Sequence, residues 1–276
     1  MREQILAELR PRIAKMTASQ RAPGLAVILA GHDPASEIYV RAKIKTCREM
    51  AIYSEKITPP DSISTEELLG IIEGLNQRNE IDGILVQVPL PKQIDRRRVL
   101  ISIKPDKDVD GFHPMNVGSL VDNIPAPRAC APAGIIEMLR RYEIPIEGQK
   151  AVVVGHGNLV GKPTALLLLN QNATVTICHS KTEDLAGECR RADILVVAVG
   201  KANLITREFI RPGAVVIDAG QNRGPEGNGL VGDVEASAAR ELAGAYTPVP
   251  GGVGPLTIAM LMANTVQAAE QHLCCA

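Results

Sequence analysis

The sequence predicts an α/β protein of two domains, and three observations carry that prediction. The chain has 276 residues, and at roughly 100–200 residues per domain this is enough for one or two domains that each bury a core. Short apolar runs of the kind found in buried parallel strands alternate with stretches whose apolar residues recur at helical spacing. In the second half, one such run leads directly into a glycine loop and a helix, as in the opening of a doubly wound sheet.

The elements follow in order. Residues 1–20 predict an amphipathic helix, because Ile5, Leu6, Leu9, Ile13 and Met16 fall near one face, and Pro23-Gly24 ends it. Leu25–Ala30 reads as a buried strand, followed by Gly31-His32-Asp33-Pro34 and a helix from Pro34 to Met50. A helix over Thr65–Asn76, a strand over Gly83–Val88 closed by Pro89-Leu90-Pro91, and a helix over Asp95–Ile103 complete the first alternation before the turn-rich KPDKDVDGFHP. The Pro- and Ala-rich stretch 122–132 marks a domain junction, with a helix from Gly134 to Tyr142 beyond it.

The second half repeats the pattern more plainly. Strand Ala151–Val154 leads through the glycine loop to helix Pro163–Asn170, strand Ala173–Cys178, helix Thr182–Arg190, and strands Asp193–Val199 and Ala214–Ala219. A last helix over Leu256–Leu273 is expected to pack back on the first domain. The expected domains are therefore 1–128, completed by the C-terminal helix 256–276, and a Rossmann-like doubly wound domain over 129–255.

Composition narrows the function classes. Lys plus Arg number 30 against 31 Asp plus Glu, a net charge of −1, so there is no positive field of the kind nucleic acid or an anionic membrane attracts. Neither partner is expected, and no apolar run reaches the roughly 20 residues that cross a bilayer. With no Trp, four Tyr and two Phe, the core must be built from Val, Ile, Leu and Ala. Six cysteines without Cys-x-x-Cys spacing read as free thiols in a reducing compartment, and no metal is expected. The N-terminal segment lacks the continuous apolar stretch of a signal peptide, which makes a cytoplasmic location the default.

Candidate functional residues fall in two groups. After strand AVVV comes Gly155-His156-Gly157-Asn158-Leu159-Val160-Gly161, whose glycines allow backbone amides and a helix N-terminus to approach a pyrophosphate. The plainer alternative is a strand-to-helix turn without a ligand. At the end of the second strand, where an Asp or Glu would hold the ribose of NAD, stand His179-Ser180-Lys181. Without an acid to repel a ribose phosphate, NADP is favoured over NAD; Lys181 reads equally well as a phosphate contact or a solvated charge. In the first domain Ser36, Tyr39 and Lys43 share one helix face, and Gln87 and Asp110 add polar groups near strand ends, where open α/β sheets bind ligands. A lysine loses pKa readily when desolvated, which suits proton transfer. Thr247–Pro255, rich in Gly and Pro, could present backbone groups to a ligand or join two domains. Arg96-Arg97-Arg98 reads as a solvated helix face.

The segments PASEIYVRAKIKTC, ILVQVPLP, KPDKDVDGFHPMN, VGKPTALLLLNQNATVTICHSKT, DILVVAVG and TPVPGGVGPLT together resemble the methylenetetrahydrofolate dehydrogenase/cyclohydrolase family, from about Arg21 to Asn264. The resemblance implies a cytosolic homodimer that oxidises 5,10-methylenetetrahydrofolate with NADP and hydrolyses the methenyl product to 10-formyltetrahydrofolate. By position it implies Lys43 as the catalytic lysine, Tyr39 as a ring-stacking tyrosine, Gln87 as the residue tuning the lysine and Asp110 as the aspartate gripping the pterin. It further implies folate contacts from Ser36, Pro250, Gly251 and Gly252, and cofactor contacts from Gly155, His156, Gly157, Ser180 and Gln221.

Departures from the family pattern cluster on the cofactor side. His156 and Gly157 stand where Arg and Ser are usual, Ala131 replaces a Thr, and Gln221 replaces an apolar residue. A guanidinium that clamps a phosphate bidentately has become an imidazole, so NADP is expected to bind more weakly, and more weakly still as pH rises through the range where imidazoles titrate. The chain also begins short of the family's usual Asp-Gly-Lys opening segment, so the edge of the first domain is expected to be trimmed. Two alternatives stand beside the leading reading: a cyclohydrolase with weak or altered-cofactor oxidation, NAD included, and a non-catalytic folate or nucleotide binder. The retention of Lys43, Gln87 and Asp110 together argues against the last.

Overall fold

A computed structural model describes residues 1–224 and 229–274. The chain forms two compact units: Arg2–Cys130 together with the residues from Ile258 on, and Ala131–Thr257. The second is thus inserted into the sequence of the first.

In the first unit α1 (Arg2–Ser19) buries the five apolar residues of its predicted face. Strands β1 (Gly24–Ile28), β2 (Tyr53–Ile57) and β3 (Gly83–Val86) form a parallel sheet in the order β2-β1-β3, with Gly24 opposite Tyr53 and Leu25 opposite Gly83. Helices α2 (Pro34–Glu49), α3 (Thr65–Asn76) and α4 (Arg96–Ser102) connect and cover it. Each starts at a side-chain cap, Asp33, Ser64 or Asp95, that accepts first-turn amides the helix itself cannot satisfy. Ala26, Ile28, Leu68, Ile72, Ile84 and Val99 meet in one core. Arg98 of the basic triplet pairs with Glu66 on the surface, through contacts of 2.6 and 2.9 Å.

Two elements here depart from the sequence reading. The sequence reading places no element over residues 53–57, where the structure has the edge strand β2; YSEKI shows no apolar run, and Tyr53 and Lys56 are exposed. Past the turn-rich segment, α5 (Pro114–Val121) forms where no helix was expected; His113 caps it by accepting the Met115 amide.

In the second unit α6 (Cys130–Arg141) begins inside the expected junction. The parallel sheet of β4 (Lys150–Val154), β5 (Thr174–Cys178), β6 (Ile194–Val197), β7 (Val215–Asp218) and β10 (Ala245–Tyr246) runs in the order β10-β7-β6-β4-β5. Helices α7 (Gly161–Asn170), α8 (Leu185–Arg190) and α9 (Ala236–Leu242) flank it, and a small antiparallel pair, β8 (Asn222–Arg223) and β9 (Leu230–Val231), follows β7. Numbered within the unit this is the order 2-1-3-4-5 of a doubly wound fold, whose direction of winding reverses between β4 and β6. Helix α8 is shorter than expected, because Asp184 adopts a left-handed φ of 43° and caps the helix by accepting from Gly187. Helix α10 (Val253–Cys274) starts in this unit and continues into the first.

The five described cysteines are free, and four of them are buried; Cys275 lies outside the described residues. Among these residues no helix is long and apolar enough to cross a membrane.

Candidate active site

The parallel strands of the first unit all deliver their C-terminal ends to one edge, so residues just beyond β1 and β3 must meet there. Gln87 directly follows β3 and its backbone amide bonds Ile28 of β1 at 2.9 Å, which extends the ladder by one step and fixes its side chain at that edge. Helix α2, which follows β1, turns Lys43 toward it: Lys43 is 7% exposed and its Nζ donates to Gln87 Oε1 at 2.9 Å. The amide's other end is held by the Val88 carbonyl, to which Gln87 Nε2 donates at 2.8 Å. Gln87 therefore presents only its oxygen to the ammonium. Ser36 is buried one turn before the half-buried Tyr39 on the same helix.

Asp110 completes this edge. The Ile84 amide bonds Lys107 O at 2.8 Å, so residues 107–108 lie alongside β3 and carry Asp110 to the same end as Gln87. The loop is ordered from within by Asp108, whose Oδ2 accepts from the His113 amide at 2.7 Å and from Asn116 at 2.9 Å. Burial pushes the Asp110 carboxyl up to about 6; the Lys43 charge and a hydrogen bond with Cys130 pull the other way, and Asp108 adds to the rise. Burial, with the charge of Asp110 next, holds the Cys130 thiol well above its ordinary range. From α10, the buried Asn264 donates to Val109 O at 2.8 Å and Arg128 O at 2.9 Å, pinning the peptide just before Asp110. Sequence reasoning missed Asn264, although an asparagine inside the apolar LMANTV was a usable signal.

In the second unit the glycine loop leaves the C-terminal end of β4, at the point where the winding reverses. Gly155 has φ of 113°, and a Cβ there would stand 2.2 Å from Ala198 O; one at Gly161 would stand 2.0 Å from Gly155 O. Only glycine permits this close approach of loop, β6 and α7. Helix α7 has no side-chain cap at its N-terminus; the Lys162 amide donates to Gly157 O at 3.1 Å, which folds the loop onto the first turn, and the positive end of the helix dipole suits an anion there. This cradle fits the pyrophosphate of a dinucleotide.

The exposed His156 and Gly157 follow Gly155. The His156 ring lies against His179 at the end of β5, with centroids 5.0 Å apart and planes at 46°. The Lys181 amide donates to His179 Nδ1 at 3.2 Å, which leaves Nε2 as that ring's outward donor, and the exposed Ser180 is next in sequence. Gln221 lies elsewhere in the unit, with Nε2 3.2 Å from where a Cβ of Gly254 would be. Pro250, Gly251 and Gly252 belong to this unit and not to the one holding Lys43. There the Gly252 amide bonds Pro248 O at 2.8 Å and Gly251 takes φ of 110°, so the segment is a tight turn. A second omission from the sequence reading is Asp218 with Asp233, two buried carboxylates, one ending β7 and one just after β9, that organise the loops there. Burial foremost, with the charge of Asp233 last, raises Asp218.

A doubly wound sheet with a glycine cradle at its reversal point, in a chain whose other unit buries a lysine against a glutamine, defines a nucleotide-using α/β enzyme. The comparisons make this specific. Residues 1–110 match the tetrahydrofolate dehydrogenase/cyclohydrolase catalytic domain, and residues 129–273 match the NAD(P)-binding domain of the same description. A bifunctional FolD protein of Solibacter usitatus is 62% identical over 99% of this chain and 96% of its own length. The crystal structure of a Campylobacter jejuni FolD methylenetetrahydrofolate dehydrogenase/cyclohydrolase superposes with a TM-score of 0.95 at 43% identity, covering 98% of this chain and 96% of its own. The FolD enzyme of Trypanosoma brucei, solved with NADP cofactor and inhibitor, gives 0.94 at 37% identity, covering 99% and 95%. The chain belongs to the tetrahydrofolate dehydrogenase/cyclohydrolase family.

Proposed function

We propose that this protein oxidises 5,10-methylenetetrahydrofolate with NADP and hydrolyses 5,10-methenyltetrahydrofolate to 10-formyltetrahydrofolate. The observation that carries the reading is the buried Lys43, held at 2.9 Å by a glutamine whose own orientation is fixed, beside a carboxyl raised by burial. Family membership supplies the substrate class.

NADP, when bound, supplies the hydride acceptor for the methylene carbon. That step consumes no acid or base, so the protein's part is positioning. Hydrolysis is different: water adds to the methenyl carbon and loses a proton, N5 then gains a proton as the carbon–N5 bond breaks, and the carbinol hydroxyl gives up its own proton as the formyl C=O forms, one proton being released overall. Lys43 is the group placed to hand these protons on, and Gln87 keeps its Nζ directed without sharing its charge. Asp110 accepts a hydrogen bond from the pterin, Tyr39 stacks on the aminobenzoate ring, and Ser36 with the turn Pro250, Gly251 and Gly252 adds folate contacts. On the nucleotide side Gly155, Gly157 and the α7 N-terminus hold the pyrophosphate, while His156 and Ser180 face the ribose phosphate. Gln221 belongs to the same set of cofactor contacts. In this reading residues 1–128 with the C-terminal helix are the folate-binding domain and 129–255 the NADP domain. The enzyme works as a homodimer in the cytoplasm; the family resemblance supports both, and free thiols at the five described cysteines suit a reducing compartment.

The meeting of two imidazoles where a guanidinium would grip a phosphate favours a second reading, hydrolysis with weak or altered-cofactor oxidation. Initial rates of methylene oxidation with NADP and with NAD, alongside methenyl hydrolysis, separate the two. Lys43→Ala tests both: hydrolysis should fall by about 100-fold or more. A variant that loses only folate affinity would show the chain to be a binder.

A further inference from the structure

Beyond β6 the chain turns through Ala198-Val199-Gly200-Lys201, with Gly200 at φ of 69°. Three successive amides, those of Val199, Gly200 and Lys201, converge on the carboxylate of Asp233 at 2.6, 2.9 and 2.9 Å. Consecutive amides around a left-handed residue form a concavity that in many proteins binds phosphate. Here the chain's own carboxylate fills it. Asn222 Nδ2 donates to Asp233 Oδ1 at 2.9 Å, and Asp233 is fully buried.

Asp233 is placed in turn by Asp218 at the end of β7. Asp218 Oδ1 accepts from the amides of Gly220 at 2.8 Å and Asp233 at 3.0 Å, and its Oδ2 accepts from Val234 at 2.9 Å. A Cβ at Gly232 would stand 1.8 Å from Asp218 Oδ2 and one at Gly220 2.3 Å from Asp233 Cγ, so only glycine lets the backbone pass this close to the two carboxylates. The far end of the chain of contacts is Ala198 O, which packs on Gly155 at the reversal point between β4 and β6. Doubly wound sheets bind their ligand at that crevice, outside the strand ends.

We propose that Asp233 is a positioning residue for NADP. Its carboxylate occupies the anion-binding turn after β6, fixes the lip of the crevice against Gly155, and leaves the Gly155–Gly161 loop with α7 as the place for the pyrophosphate. Asn222 supports it. The inference rests on the NADP-dependent reading above.

The test uses the full chain with Asp233→Asn and Asn222→Ala. An asparagine keeps the shape but turns an amide donor, or a neutral oxygen, toward three donors. NADP binding is measured by calorimetry, with the KM for NADP, kcat for oxidation, and methenyl hydrolysis, which needs no nucleotide. Asp233→Asn is expected to weaken NADP binding and raise its KM by about tenfold or more, with hydrolysis within about twofold of the parent. Inorganic pyrophosphate should inhibit oxidation by this variant more strongly than it inhibits the parent. Asn222→Ala should show the same split at about two- to threefold; it keeps both carboxylates and decides the matter if Asp233→Asn does not fold. Unchanged NADP affinity in a variant that still hydrolyses, or parallel loss of both activities in a folded variant, overturns the inference. A parent protein that hydrolyses but neither binds nor uses NADP overturns the NADP reading, and this inference with it.

Discussion

Asp110→Asn should stabilise this protein at neutral pH while damaging its chemistry. The Asp110 carboxyl is moved from an ordinary 3.8 to about 6, chiefly by burial. An acid whose folded pKa is raised keeps its proton in the native state while the unfolded chain has already released it. Stability therefore falls as pH rises across that interval. Once the carboxyl is fully ionised the cost is about 3 kcal/mol, and about 2 kcal/mol of it accrues between roughly pH 4.5 and 7.5. Asparagine carries no such term. The melting temperature of the variant should gain on the parent by about 4–8 °C over that pH range. Paired thermal scans by circular dichroism at several pH values measure this, with the difference between the two proteins cancelling all other titrations. Methenyl hydrolysis should meanwhile fall by about tenfold or more, because a hydrogen-bond acceptor of the charged kind is lost. A gap between the two melting curves that stays constant with pH would refute the argument that burial raises this carboxyl.

Other expectations follow from the same contacts. Gln87→Leu removes the partner that holds Lys43 Nζ at 2.9 Å, and hydrolysis should drop about tenfold while NADP binding by calorimetry is unchanged. His156→Arg replaces one half of the imidazole pair by a bidentate phosphate donor, and the ratio of NADP to NAD affinity, measured by calorimetry, should rise about tenfold. Asn264→Leu removes the amide donor shared by two carbonyls, leaving Val109 O with only the Cys130 thiol at 3.3 Å and the part-buried Arg128 O without its partner, so urea or thermal unfolding should show a loss of about 1–3 kcal/mol.

What could be read from the sequence was what is written locally. Ser36, Tyr39 and Lys43 share a helix face by spacing alone, and the AVVV strand with its glycine loop announces a parallel sheet. Strand β2 was missed because an edge strand with one solvated side needs no apolar run, and Tyr53 is 47% exposed. Helix α5 was missed because its start is encoded by the His113 side chain, not by one of the usual capping residues. Asp233 went unread for another reason, and Asn264, a polar residue in an apolar run, could be noticed but not assigned a partner: each acts on backbone groups far away in sequence, and amides and carbonyls leave no trace in residue identity. The approach of His156 to His179 likewise depends on β4 and β5 being neighbours, a fact of sheet order.

The insertion of residues 131–257 into the first unit sets an order of birth. On the ribosome the segment up to Cys130 emerges without α10, so Asn264 cannot yet pin Val109, Glu270 cannot pair with Arg12, and His272 cannot reach Asp82. Translation at about 5–20 residues per second delays Ile258 by roughly 6–25 s. The nucleotide unit is complete by then and can fold while its elder sibling waits, an unfinished sheet with one wall missing. The last residues synthesised thus close the first structure begun, and a nascent chain stalled before Ile258 would carry a finished cofactor fold beside a lysine whose carboxylate neighbour is not yet anchored.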